Sequence, residues 1–249
     1  MLKKFVRFIK NPKKELHAAR ELLRRTSFYY LKKFYEALGI DAYSKPYRHN
    51  DGLINLIGGK DGFFVQCGGN DGYFQDPTYY LEKFRNWQGL IVEPLPLYKK
   101  CQENRPSSAV LNFAAGTRAQ SHQKIVLIDC GPMSMVKENV SEHRSWAAGA
   151  QKVMGIIPKE IEVESRTLDE MIEEYFKKTT TRKIDLLVID VEGAEMAVLN
   201  GFSIEKYRPT YIPIELNSKE GPDAMKNMLH GYELSSHLGD NDYLYKSSL

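Results

Sequence analysis

Residues 63–72, Phe63-Phe64-Val65-Gln66-Cys67-Gly68-Gly69-Asn70-Asp71-Gly72, run from a short apolar stretch straight into glycines. That reads as a strand followed by a loop whose backbone amides can approach a ligand closely. It also reads as an ordinary glycine turn. A dinucleotide fingerprint fails twice, because G-x-G-x-x-G begun at Gly68 needs glycine where Asn70 and Tyr73 stand. A phosphate-cradling G-x-x-x-x-G-K-[ST] loop fails because no lysine follows.

A third pattern, acidic-x-G-x-G-x-G, fits better and belongs to methyltransferases. Gly68 and Gly72 are in place and Asn70 replaces the middle glycine. Asn tolerates unusual backbone angles better than most residues. Gln66 stands where the acid usually is and retains the capacity to hydrogen-bond a ligand amine. Moving outward, Glu93 ends Leu90-Ile91-Val92-Glu93-Pro94, 25 residues after Gly68. An acid at the end of the second strand accepts hydrogen bonds from ribose hydroxyls; it also serves as a plain solvent-facing charge. A third segment, Ile184-Asp185-Leu186-Leu187-Val188-Ile189-Asp190-Val191-Glu192-Gly193-Ala194-Glu195, delivers Asp190 to the carboxyl edge of a buried strand. In open α/β sheets ligands bind at that edge. Glu192 and Glu195 have a simpler use, favouring a helix N-terminus.

From residue 63 onward, short apolar runs alternate with amphipathic helical patterns. Strands are expected at 63–67, 89–92, 109–113, 124–129, 160–165, 184–189, 210–216, 232–236 and 242–246. Helices are expected from Asp76-Pro77, from Leu95, after the capping box Thr167-Leu168-Asp169-Glu170, at 194–200 and from Pro222 to His230. Pro213 is awkward inside its strand. The alternation implies a mostly parallel sheet with helices on both faces, closed by an antiparallel C-terminal hairpin. Residues 130–158 interrupt the pattern, and Met133-Ser134-Met135 and Trp146 suit an acceptor lid.

The segments Val65–Gly72, Ile91-Val92-Glu93-Pro94, Asn112-Phe113-Ala114-Ala115-Gly116, Thr167-Leu168-Asp169 and Ile189-Asp190-Val191-Glu192-Gly193-Ala194-Glu195, with Leu199 and Gly201 beyond, together resemble the FkbM-type methyltransferase family. The resemblance spans roughly residues 60–246. It implies an α/β, Rossmann-like methyltransferase fold with a mostly parallel seven-stranded sheet. It also implies S-adenosyl-L-methionine as donor and O-methylation of sugars or polyketide-like hydroxyls. By position, Gly68, Asn70 and Gly72, in a loop that includes Gly69 and Asp71, would surround the methionine part of the donor. Glu93 would bind its ribose, and Asn112 and Ala114 would flank its adenine. Gln66 and Gly69 depart from the acid and Ala common in the family loop.

An alcohol is weakly acidic, so a base or a divalent metal such as Mg²⁺ must help remove its proton. Asp190 is the first candidate, as base or metal ligand. Glu215 ends the neighbouring strand and shares the edge, and two close carboxylates raise one pKa. Glu192 is a third. His143 and His237 are loop residues within reach of the edge.

The 249-residue chain is 42% hydrophobic and 27% charged, enough for a single α/β domain with an extension. Its net charge of +3 conceals a division. Residues 1–40 hold 11 Lys and Arg against three acids, net +8, which leaves the rest at −5. A basic helical extension over 1–45 and a methyltransferase domain over 46–249 follow. Asn11-Pro12 opens one helix of the extension, and Ser27 to Leu38 forms a second. Phe5, Phe8 and Ile9 beside Lys3, Lys4, Arg7 and Lys10 suit peripheral contact with an anionic membrane. No apolar stretch is long enough to span a bilayer. Cys67, Cys101 and Cys130 form neither a zinc spacing nor a disulfide framework. A cytoplasmic location, at the inner membrane surface if the arm binds it, is the expectation. A nucleic-acid methyltransferase using the arm for phosphate contacts is the alternative enzyme. The acidic body and the lack of an Asp/Asn-Pro-Pro-aromatic or Pro-Cys motif count against it. A non-catalytic binding module is the alternative outside enzymes.

Overall fold

The computed structural model describes residues 61–139, 157–216 and 221–248, apart from Gln75, Pro132, Arg182 and Asp240, together with Leu53, Ile57 and Gly59. The chain divides into two units, 1–46 and 47–249, and every described residue belongs to the second. The expected extension, its two helices, His143 and Trp146 lie outside the described residues.

Seven strands form the main sheet: β1 (Phe63–Cys67), β2 (Gln88–Val92), β3 (Ser108–Leu111), β8 (Leu186–Ile189), β9 (Tyr211–Glu215), β10 (Tyr232–His237) and β11 (Asp242–Ser247). Their order across the sheet is β10-β11-β9-β8-β1-β2-β3. β1 pairs in parallel with β2 and β8, β2 with β3, and β8 with β9. Only β11 is reversed, antiparallel to both β9 and β10. The order reverses at β1, so a crevice opens above the carboxyl ends of β1 and β8.

The central strands are buried on both faces, as their unbroken apolar runs require. One face of β1, Phe63, Val65 and Cys67, packs on Met171, Ile172 and Phe176 of the helix Leu168–Lys177. The capping box forms: Thr167 Oγ1 accepts from Glu170 N, and Glu170 accepts from Thr167 N in return. On the other face the Arg105 guanidinium lies 5.2 Å from the Phe64 ring centre.

Several expectations shift. Asp76-Pro77 precedes a shorter helix, Tyr79–Arg85, and the Asp76 carboxylate accepts from Thr78 N and Tyr79 N at its start. The helix expected from Pro222 to His230 is only Gly221–Met225. Pro213 does sit inside an interior strand. The parallel register pairs Leu186 with Tyr211 and Ile189 with Ile214, and the ladder is interrupted between them, where Pro213 has no N–H to donate. Strands 124–129 and 160–165 do not join the main sheet. They are β5 (Lys124–Asp129) and β7 (Lys159–Arg166), which pair antiparallel in a second sheet. This sheet has the order β4-β7-β5-β6, where β4 is Ala114–Ala115 and β6 is Met135–Val136. Its inner side, Leu127 and Val163 with Leu95 and Ala114, forms a small core of its own.

Candidate active site

A cleft of about 420 Å³ opens at the carboxyl edge of the main sheet. Its lining comes from the loop after β1, the ends of β2, β8 and β9, and the second sheet. Gln66, Gly68, Gly69, Asn70, Glu93, Ala114, Asp190, Glu192 and Glu215 all line it. So do Ser134 and Met135 from the expected lid segment.

The loop is built by close approach. Gly68 has φ +87°, and a Cβ there would lie 1.9 Å from the carbonyl oxygen of Asp190. Only glycine lets the β1 loop settle onto the end of β8. Asn70 takes the left-handed angle, φ +46°, that its side chain tolerates. Gly72, φ +70°, closes the loop on Cys101 and Arg105.

Glu93 is 6% exposed. Its carboxylate accepts from Asn70 N at 2.7 Å and Leu95 N at 2.8 Å. Burial pushes it up to about 7 even though backbone amides pull the other way. The carboxylate therefore ties the loop to the end of β2 while lining the cleft.

Gln66 is fully committed as a donor: its Nε2 donates to Gly68 O at 3.0 Å and to Asp76 Oδ2 at 3.1 Å. Thr78 Oγ1 donates to its Oε1. The amide braces the loop from beneath and leaves no N–H for a ligand. Asp71 caps the turn, accepting from Tyr73 N and Phe74 N. Asn112 lies outside the cleft lining, donating to the carbonyls of Glu93 and Pro94.

Beneath the loop sits Arg105, which nothing in the sequence singles out from its 35 Lys and Arg. Its side chain is wholly buried. Nε donates to Glu82 at 2.8 Å and Nη2 to Thr78 Oγ1 at 2.7 Å. Nη1 stands 2.9 Å from Asp76 as an ion pair without the alignment of a hydrogen bond. The chain Arg105, Asp76, Gln66, Gly68 links the loop after β1 to residues following β2.

Also in the cleft, the ends of β8 and β9 bring together Asp190, Glu192 and Glu215. One carboxylate oxygen from each lies within 4.8 Å of the others. Asp190 touches solvent in the cleft, yet the surrounding walls crowd water away and raise its pKa. Beside it, burial first, then the charges of Asp190 and Glu192, push Glu215 well above the usual carboxylate range. Glu192, at φ +52°, is raised to about 8 by burial, Asp190 and Glu195. Asp242 is the cross-strand partner of Glu215 and adds a further acid. His237 ends strand β10 instead of lying in a loop, exposed and edge-on to Tyr243 at 4.9 Å.

These acids hold protons in the fold at pH values where the unfolded chain has released them. Above about pH 4.5 the folded state binds more protons, so stability falls as pH rises through 7 and 8. Glu93 alone contributes on the order of 3 kcal/mol across that window. Glu170, held at about 2 chiefly by the Ser121 hydroxyl, acts in the opposite sense and only below pH 4.5. The ligand-free protein is expected to melt at a lower temperature at pH 8 than at pH 5.5, and Glu93→Gln to narrow the difference. Thermal melts at the two pH values check this.

The sheet order, with one reversed strand between β9 and β10 and a cleft at its switch point, is that of a Rossmann-like methyltransferase fold. The methyltransferase FkbM domain model matches residues 66–238, and the chain belongs to that family. S-adenosylmethionine is the donor this class implies. No curated protein matches the sequence. Among solved structures, Streptococcus pneumoniae Sp1610, a candidate tRNA (m1A22) methyltransferase, is similar at 11% identity and a TM-score of 0.37. That match covers 79% of this chain and 69% of the other. The human methyltransferase 10 domain containing protein is similar at 9% identity and a TM-score of 0.40, over 82% of this chain and 84% of the other.

The residues present fit the donor. Backbone of Gly68, Gly69 and Asn70 lines the cleft, a buried acid stands at the end of β2, and Ala114 with Ile125 and Leu127 gives an apolar wall.

Proposed function

We propose that the chain is an S-adenosylmethionine-dependent O-methyltransferase acting on a hydroxyl of a sugar, glycan or other small acceptor. The observation that carries this reading is the grouping of Asp190, Glu192 and Glu215, with carboxylate oxygens within 4.8 Å of one another, in the same cleft as the loop after β1. Bound S-adenosylmethionine supplies an activated methyl group, so the protein's task is alignment and removal of one proton. Loop residues 68–70 and Glu93 hold and orient the donor. Asp190, in its ionised form, accepts the hydroxyl proton. Glu215 retains the proton of the pair and donates a hydrogen bond that keeps Asp190 in position.

A second reading of the same acids is favoured by their spacing. Three carboxylates with oxygens within 4.8 Å suit a hard divalent cation such as Mg²⁺, which would displace that proton. Transfer of labelled methyl to panels of sugars, lipids and RNA, each with Mg²⁺ or with EDTA, tests both. Methylated sugar in EDTA supports the base. Sugar methylation only with Mg²⁺ supports the metal. Methylated RNA alone rejects the proposed acceptor class, and donor binding without transfer to any acceptor favours a binding module.

A further inference from the structure

Gly68 is held from three sides. Its N–H donates to Val92 O at 3.0 Å, the space where a Cβ would stand is taken by Asp190 O, and its carbonyl accepts from Gln66 Nε2 at 3.0 Å. The first two contacts are made by backbone atoms at the ends of β2 and β8. The third is made by a side chain, so it alone depends on which residue stands at 66. The same Nε2 also donates to Asp76 Oδ2 at 3.1 Å, and Oε1 accepts from Thr78 Oγ1. Thr78 Oγ1 in turn accepts from Arg105 Nη2 at 2.7 Å and keeps its own proton for Gln66. The amide therefore stands one way round. Turned over, its oxygen would face two other acceptors, Gly68 O and Asp76 Oδ2. Gln66, Asp76, Thr78 and Arg105 are all buried, so a bond lost here is not replaced by bulk water.

We propose that Gln66 is a positioning residue for the methyl donor, with Asp76 as its matched partner: the amide sets the direction of the Gly68 carbonyl and, through it, the shape of the loop that holds S-adenosylmethionine. This rests on the reading of the loop after β1 as the donor site. The pairing dictates what position 66 can be. Gln66→Glu puts a carboxylate oxygen where Nε2 now stands, 3.0 Å from Gly68 O and 3.1 Å from Asp76 Oδ2. Acceptor then faces acceptor, and two buried negative charges lie side by side. Adding Asp76→Asn repairs half of this. The new amide nitrogen replaces Oδ2 and donates to the carboxylate at 66, while the amide oxygen keeps the N–H groups of Thr78 and Tyr79. The net charge around Arg105 returns to that of the wild type. Gly68 O still has no side-chain donor, so stability and donor affinity part company in the double variant.

The test uses the full chain, with calorimetric titration of S-adenosylmethionine and chemical denaturation as readouts. Four proteins are compared: the wild type, Gln66→Glu, Gln66→Glu/Asp76→Asn, and Gln66→Met, which removes the amide without adding charge. The double variant is expected to regain most of the stability that Gln66→Glu loses, yet to bind the donor about tenfold or more weakly than the wild type. Gln66→Met is expected to show a similar loss of affinity. A brace that serves only the fold predicts affinity recovering together with stability, and that result overturns the proposal. Wild-type affinity in a folded Gln66→Met protein overturns it too, and leaves the donor reading standing. A double variant no more stable than Gln66→Glu rejects the pairing with Asp76, and Gln66→Met then decides the positioning role alone. Absence of binding to the wild type rejects the donor reading and this proposal with it.

Discussion

Asp190→Asn is expected to lower methyl transfer by at least about a hundredfold while S-adenosylmethionine still binds. The substitution keeps the shape of the side chain. It also keeps the backbone carbonyl against which Gly68 rests, so the donor cradle is unchanged. What disappears is the carboxylate proposed to accept the hydroxyl proton. Two further effects separate this role from a structural one. Glu215 loses the neighbouring charge that helps raise it, so the pH profile of any residual activity moves to lower pH. A crowded acid is also removed, so the variant is expected to be at least as stable as the wild type at pH 8. Steady-state rates across pH, donor titration and thermal melts check these together. An active Asp190→Asn protein would remove the residue from the chemistry.

Arg105→Met is expected to destabilise the domain by about 3–5 kcal/mol, since it leaves buried carboxylates without their cation. Asp76 and Glu82 both depend on it, and each is nearly inaccessible to water. Burial opposes the guanidinium charge, but the two acids more than offset that and hold its pKa above the ordinary value. The effect should reach the donor loop, because Asp76 also takes the Gln66 amide that carries Gly68 O. Chemical denaturation measures the loss. Adding Asp76→Asn and Glu82→Gln to Arg105→Met should recover much of it, since a neutral cluster has no unpaired charge to bury. Full stability in Arg105→Met alone would show that the cluster does not hold the fold together.

Much of the fold was legible because its signals are local. The capping box at Thr167, the doubly buried run 186–189 and the loop at Gly68 each declare themselves within ten residues. The pairing of Asp190 with Glu215 was legible too, because strands consecutive in the parallel order end side by side. Other features depend on distant partners. The second sheet is completed at both edges by two-residue strands at Ala114 and Met135, too short to carry a period. Pro213 survives in an interior strand because the ladder gives way around it, which no propensity reveals. Gln66 reads as a ligand contact in the sequence and is a brace in the structure, because its partners, Asp76 and Thr78, arrive from the following turn. Arg105 has no sequence signal at all; its role exists only where Asp76 and Glu82 converge.

The central claim is that the loop after β1, resting on the end of β8, holds the methyl donor. Calorimetric titration of the full chain with S-adenosylmethionine, for the wild type and for Gly68→Ala, tests it most directly. A methyl at position 68 would lie 1.9 Å from Asp190 O at a φ of +87°, so the loop must lift away from β8. Saturable binding to the wild type that is lost in a folded Gly68→Ala protein is the predicted result. Absence of binding to the wild type, or unchanged affinity in the variant, would contradict it.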